Sequence, residues 1–514
     1  MIRLILISLL VLVGGCGSGD AEEKRGDLSV IAISEESVVF QPLLGDWPLK
    51  PELIAGAVSR GLVKLDGNGQ VVPDLATSWR VSDDGRSIIF RLREAEWTDG
   101  RDVTGQDFVR MFRAVMARDS KHPFKQILSV IENGADVAAG KKPPSALGVL
   151  APIPEVVEIR LSAPRPSLLQ IMAHPAMGIA DRNMSSVALG PFRFGRNEDG
   201  VTELVPNPDF TDPGSVQLDR IGVVAHSEAA IALQNYKREQ KGVLLGGTTG
   251  DFQLARASGL DRFLRLDPVR GIYGYRPVSM EGPLADPRIR QALAMVIDRE
   301  AVAASTGAGT ASPIYGVVSW GLSDLPQPYV AEWVNRPLAD RVADAQALMR
   351  SARGDIAANP LVLRVAIPHG PGHAALLNQI AQSWLQVGVR TEPVKPGDKS
   401  ADLEIVETVA PADSATWFLN MFRCRKNGYC NSQVDALLDQ ARSAQDAAAR
   451  RKALMEAEQL LVVDQPMIPL FTPIRWSMVD PNVLGWADNA VGQHPLAALS
   501  VISGNQGLLG GNRE

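Results

Sequence analysis

The chain opens on its most continuous apolar run. Residues 4–13 read LILISLLVLV, preceded by one positive charge at Arg3 and followed by Gly14, Gly15 and Cys16. About 10 apolar residues between a basic start and small residues form the pattern of an export signal. A membrane-spanning helix would need roughly 20. Beyond this run the pattern becomes one of short alternations and helical stripes. Residues 28–33 (LSVIAI) predict a strand, and a helical segment follows near 51–59. Residues 62–65 run into Asp66-Gly67-Asn68-Gly69, a hairpin signal. A second turn at 81–86 leads into 87–93, which alternates like a half-buried strand. Thr104 with Asp107 three residues on predicts a capped helix carrying Phe108, Met111, Phe112 and Val115 on one stripe. The stretch 129–182 mixes Pro-rich turns with a strand at 156–161, and residues 190–194 and 205–210 read as loops beside short strands. One long helix is expected over 288–304, another over 373–387, and helices over 432–461. Their stripes, such as Leu376, Leu377, Ile380 and Trp384, face a core.

Composition narrows the class. At 514 residues the chain exceeds one ordinary core, so two or three lobes are expected. A formal charge of −6 and a pI near 5.7 exclude a nucleic-acid binder, whose partner's phosphates demand a basic face. Val13-Gly14-Gly15-Cys16 resembles the lipobox of bacterial lipoproteins, in which the cysteine thiol takes a diacylglycerol before cleavage. On this reading residues 1–15 are removed, Cys16 carries the membrane anchor, and residues 16–27 form a polar tether. The alternative is an ordinary signal peptide that contains a cysteine. Of the three cysteines, Cys424 and Cys430 then remain as an even pair in an exported chain, which suggests a disulfide. Two free thiols or a metal clip are the alternatives, the latter without a nearby histidine to complete it.

No enzyme motif emerges. There is no G-x-S-x-G, no H-E-x-x-H and no phosphate loop ending in Gly-Lys-Ser/Thr, and the six histidines are scattered. His369 and His373 frame Pro371 and Gly372, which argues against a shared helical face for a metal. No cofactor is expected.

Several short motifs recur in a fixed order. They begin with Gly61-Leu62-Val63, Pro73-Asp74-Leu75-Ala76, Ser78-Trp79, Asp84-Gly85, Trp97, Asp99-Gly100 and Asp107-Phe108. Gly190-Pro191-Phe192, Asn207-Pro208 and Asp286-Pro287-Arg288-Ile289-Arg290-Gln291-Ala292-Leu293 come next. Val387-Gly388-Val389, Val434-Asp435-Ala436-Leu437-Leu438 and Gln465-Pro466-Met467-Ile468-Pro469-Leu470 close the series. Together this set resembles the oligopeptide-, dipeptide- and nickel-binding proteins of ABC importers, solute-binding family 5. Physically the motifs mark fold: Trp79 and Trp97 anchor turns, and Arg288, Arg290 and Asp298 tie helices to their neighbours.

The resemblance implies a periplasmic-binding-protein-like α/β fold, with two α/β lobes, an inserted extra lobe and a ligand cleft between them. Lobe I would be 28–60, 185–270 and 485–514, lobe II 61–184, and lobe III 271–484. It implies a monomer that closes by a hinge on a peptide or peptide-like solute, then docks on an ABC permease and its ATPase. A receptor or chaperone role on the same fold, or a non-peptide solute such as a metal complex, opine or sugar, is the alternative. In peptide binders of the family an aspartate of lobe III anchors the ligand ammonium. Here Pro411 aligns at that position and Asp413 follows two residues later. Either Asp413 takes over, or the ligand has no ammonium there. The remaining candidates are Glu35 and Glu36 at the end of the first strand, Trp417 for stacking, and Arg423 for a carboxylate. For each, a surface or core role is the competing reading.

Overall fold

The computed structural model describes residues 25–36, 48–179, 189–355, 358, 360–424 and 428–502. The expected export signal, Cys16 and most of the expected tether lie outside the described residues.

The strand Gly26–Ile33 sits inside a seven-stranded sheet, parallel to Leu218–His226 on one side and Val243–Gly247 on the other. It begins at Gly26, so Gly26 and Asp27 belong to the sheet and not to the tether. Its side chains alternate between two cores. Leu28, Val30 and Ala32 pack with Leu53, Ile54, Ala57 and Val58 of the helix Leu49–Val58. Ile31 packs instead with Ala232, Leu233 and Tyr236 of the helix Ala229–Glu239. A parallel strand covered by helices on both faces requires this two-sided burial. The sheet continues antiparallel through Val201–Pro206 and Phe192–Glu198. Residues 192–194 are therefore strand, where a loop was expected, because buried Phe192 pairs with Pro206 and joins the same core.

Residues 61–179 form a second unit. A hairpin of Val63–Leu65 and Val71–Pro73 precedes a four-stranded antiparallel sheet, ordered Ala76–Val81, Ser87–Leu92, Val156–Arg160, Val149–Leu150. The helix Gly105–Met116 covers it, and the Thr104 N–H donates to Asp107 Oδ2 at 2.8 Å to close the helix start.

The third unit is built on a five-stranded sheet ordered Val389–Val394, Leu361–Ala366, Leu403–Val409, Gly271–Pro277, Ile468–Phe471. The single long helix expected over 288–304 is two helices, Pro287–Met295 and Arg299–Thr306. Asp286 accepts the Arg288 N–H at 2.9 Å and Asp298 accepts the Ala301 N–H at 3.0 Å, so each aspartate starts a helix of its own. Arg290 fastens the first of these by donating to the carbonyls of Leu284, Ala285, Asp464 and Gln465.

The chain crosses from the first sheet to the third between Asp267 and Gly271, and returns between Phe471 and Arg475. The strand Arg475–Val479 pairs with Leu264–Asp267 and Val243–Gly247 in the first sheet. The return to the first unit therefore begins near 475, and the boundary expected at 484 is too late. Trp476 and Met478 fill the core that holds Ile31 and Leu244. Among the described residues, no helix is long and apolar enough to cross a membrane.

Candidate functional site

Where the three units meet they line a partly open cavity of about 720 Å³. The first unit contributes Glu52, Arg60, Gly247, Asp267, Arg475 and Trp476; the second contributes Lys64, Asp66, Asp74, Phe124 and His174. Val409, Pro411 and Trp417 face it from the third, and Gln493 and His494 from the C-terminal return.

Backbone geometry shapes one wall. The Trp476 indole lies against Gly247, where a Cβ would come within 2.1 Å of the ring, so only glycine permits the contact. Trp476 Nε1–H donates to the Thr248 carbonyl at 3.0 Å and fixes the ring plane.

Most charges in the lining are already paired. Arg60 Nε meets Asp74 Oδ1 at 2.7 Å, both side chains being buried, and Asp74 Oδ2 accepts the Gly61 N–H at 2.9 Å. His494 Nε2 lies 3.0 Å from Asp267 Oδ2, with the Trp486 ring stacked on the imidazole. Arg475 pairs with Glu407, which also accepts the Thr249 N–H at 3.1 Å and the Thr249 hydroxyl at 3.0 Å. This last group ties a strand of the first sheet to one of the third beside the crossing segments.

Glu52 differs. It sits in the first turn of Leu49–Val58, and its Oε1 accepts from Gln493 Nε2 at 3.1 Å. His174 Nε2 lies 3.5 Å from the same oxygen, while His174 Nδ1 accepts the Ala176 N–H at 3.1 Å. Burial, with His122 nearby, pushes His174 down to about 3, so its ring is neutral at ordinary pH. Burial pushes the Glu52 carboxyl up to about 7.

The residues singled out from sequence scatter around this cavity. Trp417 reaches it, with its ring edge-on to Phe418 at 4.9 Å, and Pro411 faces it too. Asp413 does not line it: Oδ1 accepts the Ser323 N–H at 3.0 Å and Oδ2 lies 3.4 Å from Arg270 Nη1. Glu35 and Glu36 are exposed, and Glu36 neutralises the buried Lys50 Nζ at 2.7 Å; Ile33 lines the cavity in their place. Arg423 bonds Asn420 Oδ1 at 2.9 Å and Asp439 Oδ1 at 3.0 Å, beside a separate side pocket of about 40 Å³. Cys424 and Cys430 are bonded to each other next to that loop. His373 lies within the helix Pro371–Leu385 and His369 before it; His373 Nδ1 is 3.0 Å from the Tyr273 hydroxyl. Sequence reasoning did not find Glu52, His174 or Gln493. The Glu52–Gln493 bond joins positions 441 residues apart, and no local pattern announces it.

A family model described as bacterial extracellular solute-binding proteins, family 5, middle, matches residues 70–423. The probable deoxycholate-binding periplasmic protein YgiS of Escherichia coli K12 is 27% identical over 465 residues, covering 83% of this chain and 84% of its own. The periplasmic murein peptide-binding protein MppA of the same organism is 25% identical over 472 residues, 84% of either chain. Among solved structures, Haemophilus influenzae OppA in complex with RPPGFSPFR superposes with a TM-score of 0.82 at 21% identity, over 94% of this chain and 100% of that one. E. coli MppA superposes at 0.80 and 22% identity, over 94% of this chain and 99% of that one. Its unliganded open form superposes at 0.68, also at 22% identity, over 93% of this chain and 98% of that one. The structural likenesses establish the fold, and the family match covers more than half of the sequence. The chain belongs to the bacterial extracellular solute-binding proteins, family 5.

Proposed function

We propose that this protein is the capture component of an ABC importer, taking a peptide or peptide-like solute into the cavity and handing it to a membrane permease driven by its ATPase. The observation that carries this reading is the cavity of about 720 Å³ at the junction of three units, the first and third joined by two crossing segments. A cavity of that size encloses a short peptide or a molecule of similar bulk. Walls on separate units let solute contacts be completed only when the units close, which is how binding shifts a hinge equilibrium. Relatives named for peptides, the murein peptide binder and the OppA complex, support the peptide class. The protein binds without turnover, acts as a monomer, and is held outside the cytoplasm by lipid on Cys16.

The test is the melting temperature of protein lacking residues 1–16, freed of carried-over solute, with and without a mixed short-peptide pool. A solute at 100 times its dissociation constant adds about 2.7 kcal/mol, a rise of a few degrees for a chain of this size. A clear rise supports the peptide reading. No rise with any peptide, from protein shown by mass to be empty, sinks it.

A further inference from the structure

The acids of the cavity differ in what holds them. Asp74 is paired with Arg60 and a backbone N–H. Asp267 is held by His494 Nε2 and by the Asn489 N–H at 2.9 Å. Asp66 closes its own turn, accepting the N–H groups of Asn68 at 2.9 Å and Gln70 at 2.8 Å. Glu52 has neither a cation nor a backbone N–H on its carboxylate. Both of its contacts fall on Oε1, and among the described residues Oε2 has no hydrogen-bond partner.

The partners of Glu52 hold the carboxyl in place without neutralising it. Gln493 is an amide. The His174 ring accepts through Nδ1, so its one proton sits on Nε2, facing Glu52, and the ring carries no charge. Among the described residues, no lysine or arginine nitrogen lies within 4.0 Å of the carboxylate. The cavity's buried arginines are unable to help, because Arg60 is committed to Asp74 and Arg475 to Glu407. A carboxylate fixed at one oxygen, unpartnered at the other and lining a partly open cavity is built to meet a cation brought from outside. Its raised titration agrees with that missing countercharge.

We propose that Glu52 is the subsite at which the cavity reads a cationic group of its solute, an ammonium or guanidinium that donates to Oε2. The proposal rests on the solute-binding function argued above and adds to it the charge of the ligand. It also accounts for the third unit. Pro411 faces the cavity without a charge, and Asp413 is occupied by Ser323 and Arg270, so the recognition of positive charge moves to the first unit.

The test uses a defined library of short peptides, each present with a free and an acetylated amino terminus, together with simple diamines and their diacetyl forms. Retention on solute-free protein is read by native mass spectrometry. Wild-type protein is expected to retain free-amine members at least about tenfold over their acetylated twins, the size expected for one charge-assisted hydrogen bond. Glu52→Gln, which still accepts from Gln493, is expected to lose that preference. Glu52→Asp, which keeps the charge but withdraws it, should fall between and serves if the first variant folds poorly. An unchanged preference in Glu52→Gln, or no preference in wild type, overturns the proposal. Retention of diamines but no peptide overturns the peptide reading alone and leaves the subsite standing. Retention of nothing overturns both.

Discussion

Glu458 shows how much one residue contributes that its sequence context conceals. It lies on a helical stripe between Leu454 and Leu461, fully buried, with Oε2 accepting the Tyr329 N–H at 2.9 Å and Oε1 without a partner among the described residues. Burial pushes its carboxyl up to about 8, against the backbone hydrogen bond that pulls it down. The folded protein therefore keeps a proton that the unfolded chain releases above about 4.5. Stability from this group is complete below that pH and drains away as pH rises toward 8. Glu458→Gln cannot ionise, so its melting temperature should fall less between pH 5 and 8 than that of wild type. Parallel slopes would mean that Glu458 is ionised in the fold. At the same scale, the reach of sequence reasoning is uneven. Trp417 read equally as a stacking or a core residue, and its ring both lines the cavity and packs against a core. Asp413 was legible as an acid, but its capture by Ser323 and Arg270 depends on segments more than 80 residues away. Glu52 gave no signal at all, since its contacts come from the second unit and from the C-terminal return, both far along the chain.

At the scale of elements, local pattern located strands better than it assigned them to sheets. The alternation in residues 28–33 was plain because two cores claim alternate side chains. The helix break at 296–298 was missed because the apolar stripe runs through it, and only the capping bond of Asp298 marks the restart. Strand Arg475–Val479 was placed in the wrong unit because its apolar residues say that it is buried and not which sheet it joins. That strand now has a sharp test. Alanine at Gly247 would set a Cβ within 2.1 Å of the Trp476 indole, which is itself buried and pinned by its bond to Thr248. The ring must shift into the cavity or the two strands must part. Gly247→Ala should lower stability by about 1–3 kcal/mol, the usual cost of overpacking. It should also shrink the melting shift given by any solute that stabilises wild type. A variant that melts and binds like wild type would show that the indole has room to move.

For the whole molecule, the question is what holds the units together around the cavity. The Arg475–Glu407–Thr249 group and the two crossing segments join the first unit to the third and have the character of a hinge. Among the described residues, three side-chain hydrogen bonds join the second unit to the third, beside the packing of Ala412 into the second unit's core. Gln170 Oε1 accepts the Asp413 N–H at 2.7 Å, Arg165 Nη1 reaches the Thr416 hydroxyl at 3.4 Å, and Arg450 Nη1 reaches the Pro164 carbonyl at 3.5 Å. On the hinge closure proposed above, contacts of this kind act as a clasp that biases the equilibrium toward the shut cleft without touching the solute. Gln170→Ala removes the shortest of them while leaving Arg165 and the Arg450–Asp324 pair in place. One such hydrogen bond is worth about 1 kcal/mol, so the closed fraction should drop roughly fivefold relative to the open one. Small-angle scattering of the solute-free variant should give a larger radius of gyration than wild type, and saturating solute should bring both to the same value. Dissociation should quicken by a similar factor while association changes little, because the open form that captures solute is left intact. Equal radii and equal dissociation rates would mean that closure is set at the hinge and by the solute alone.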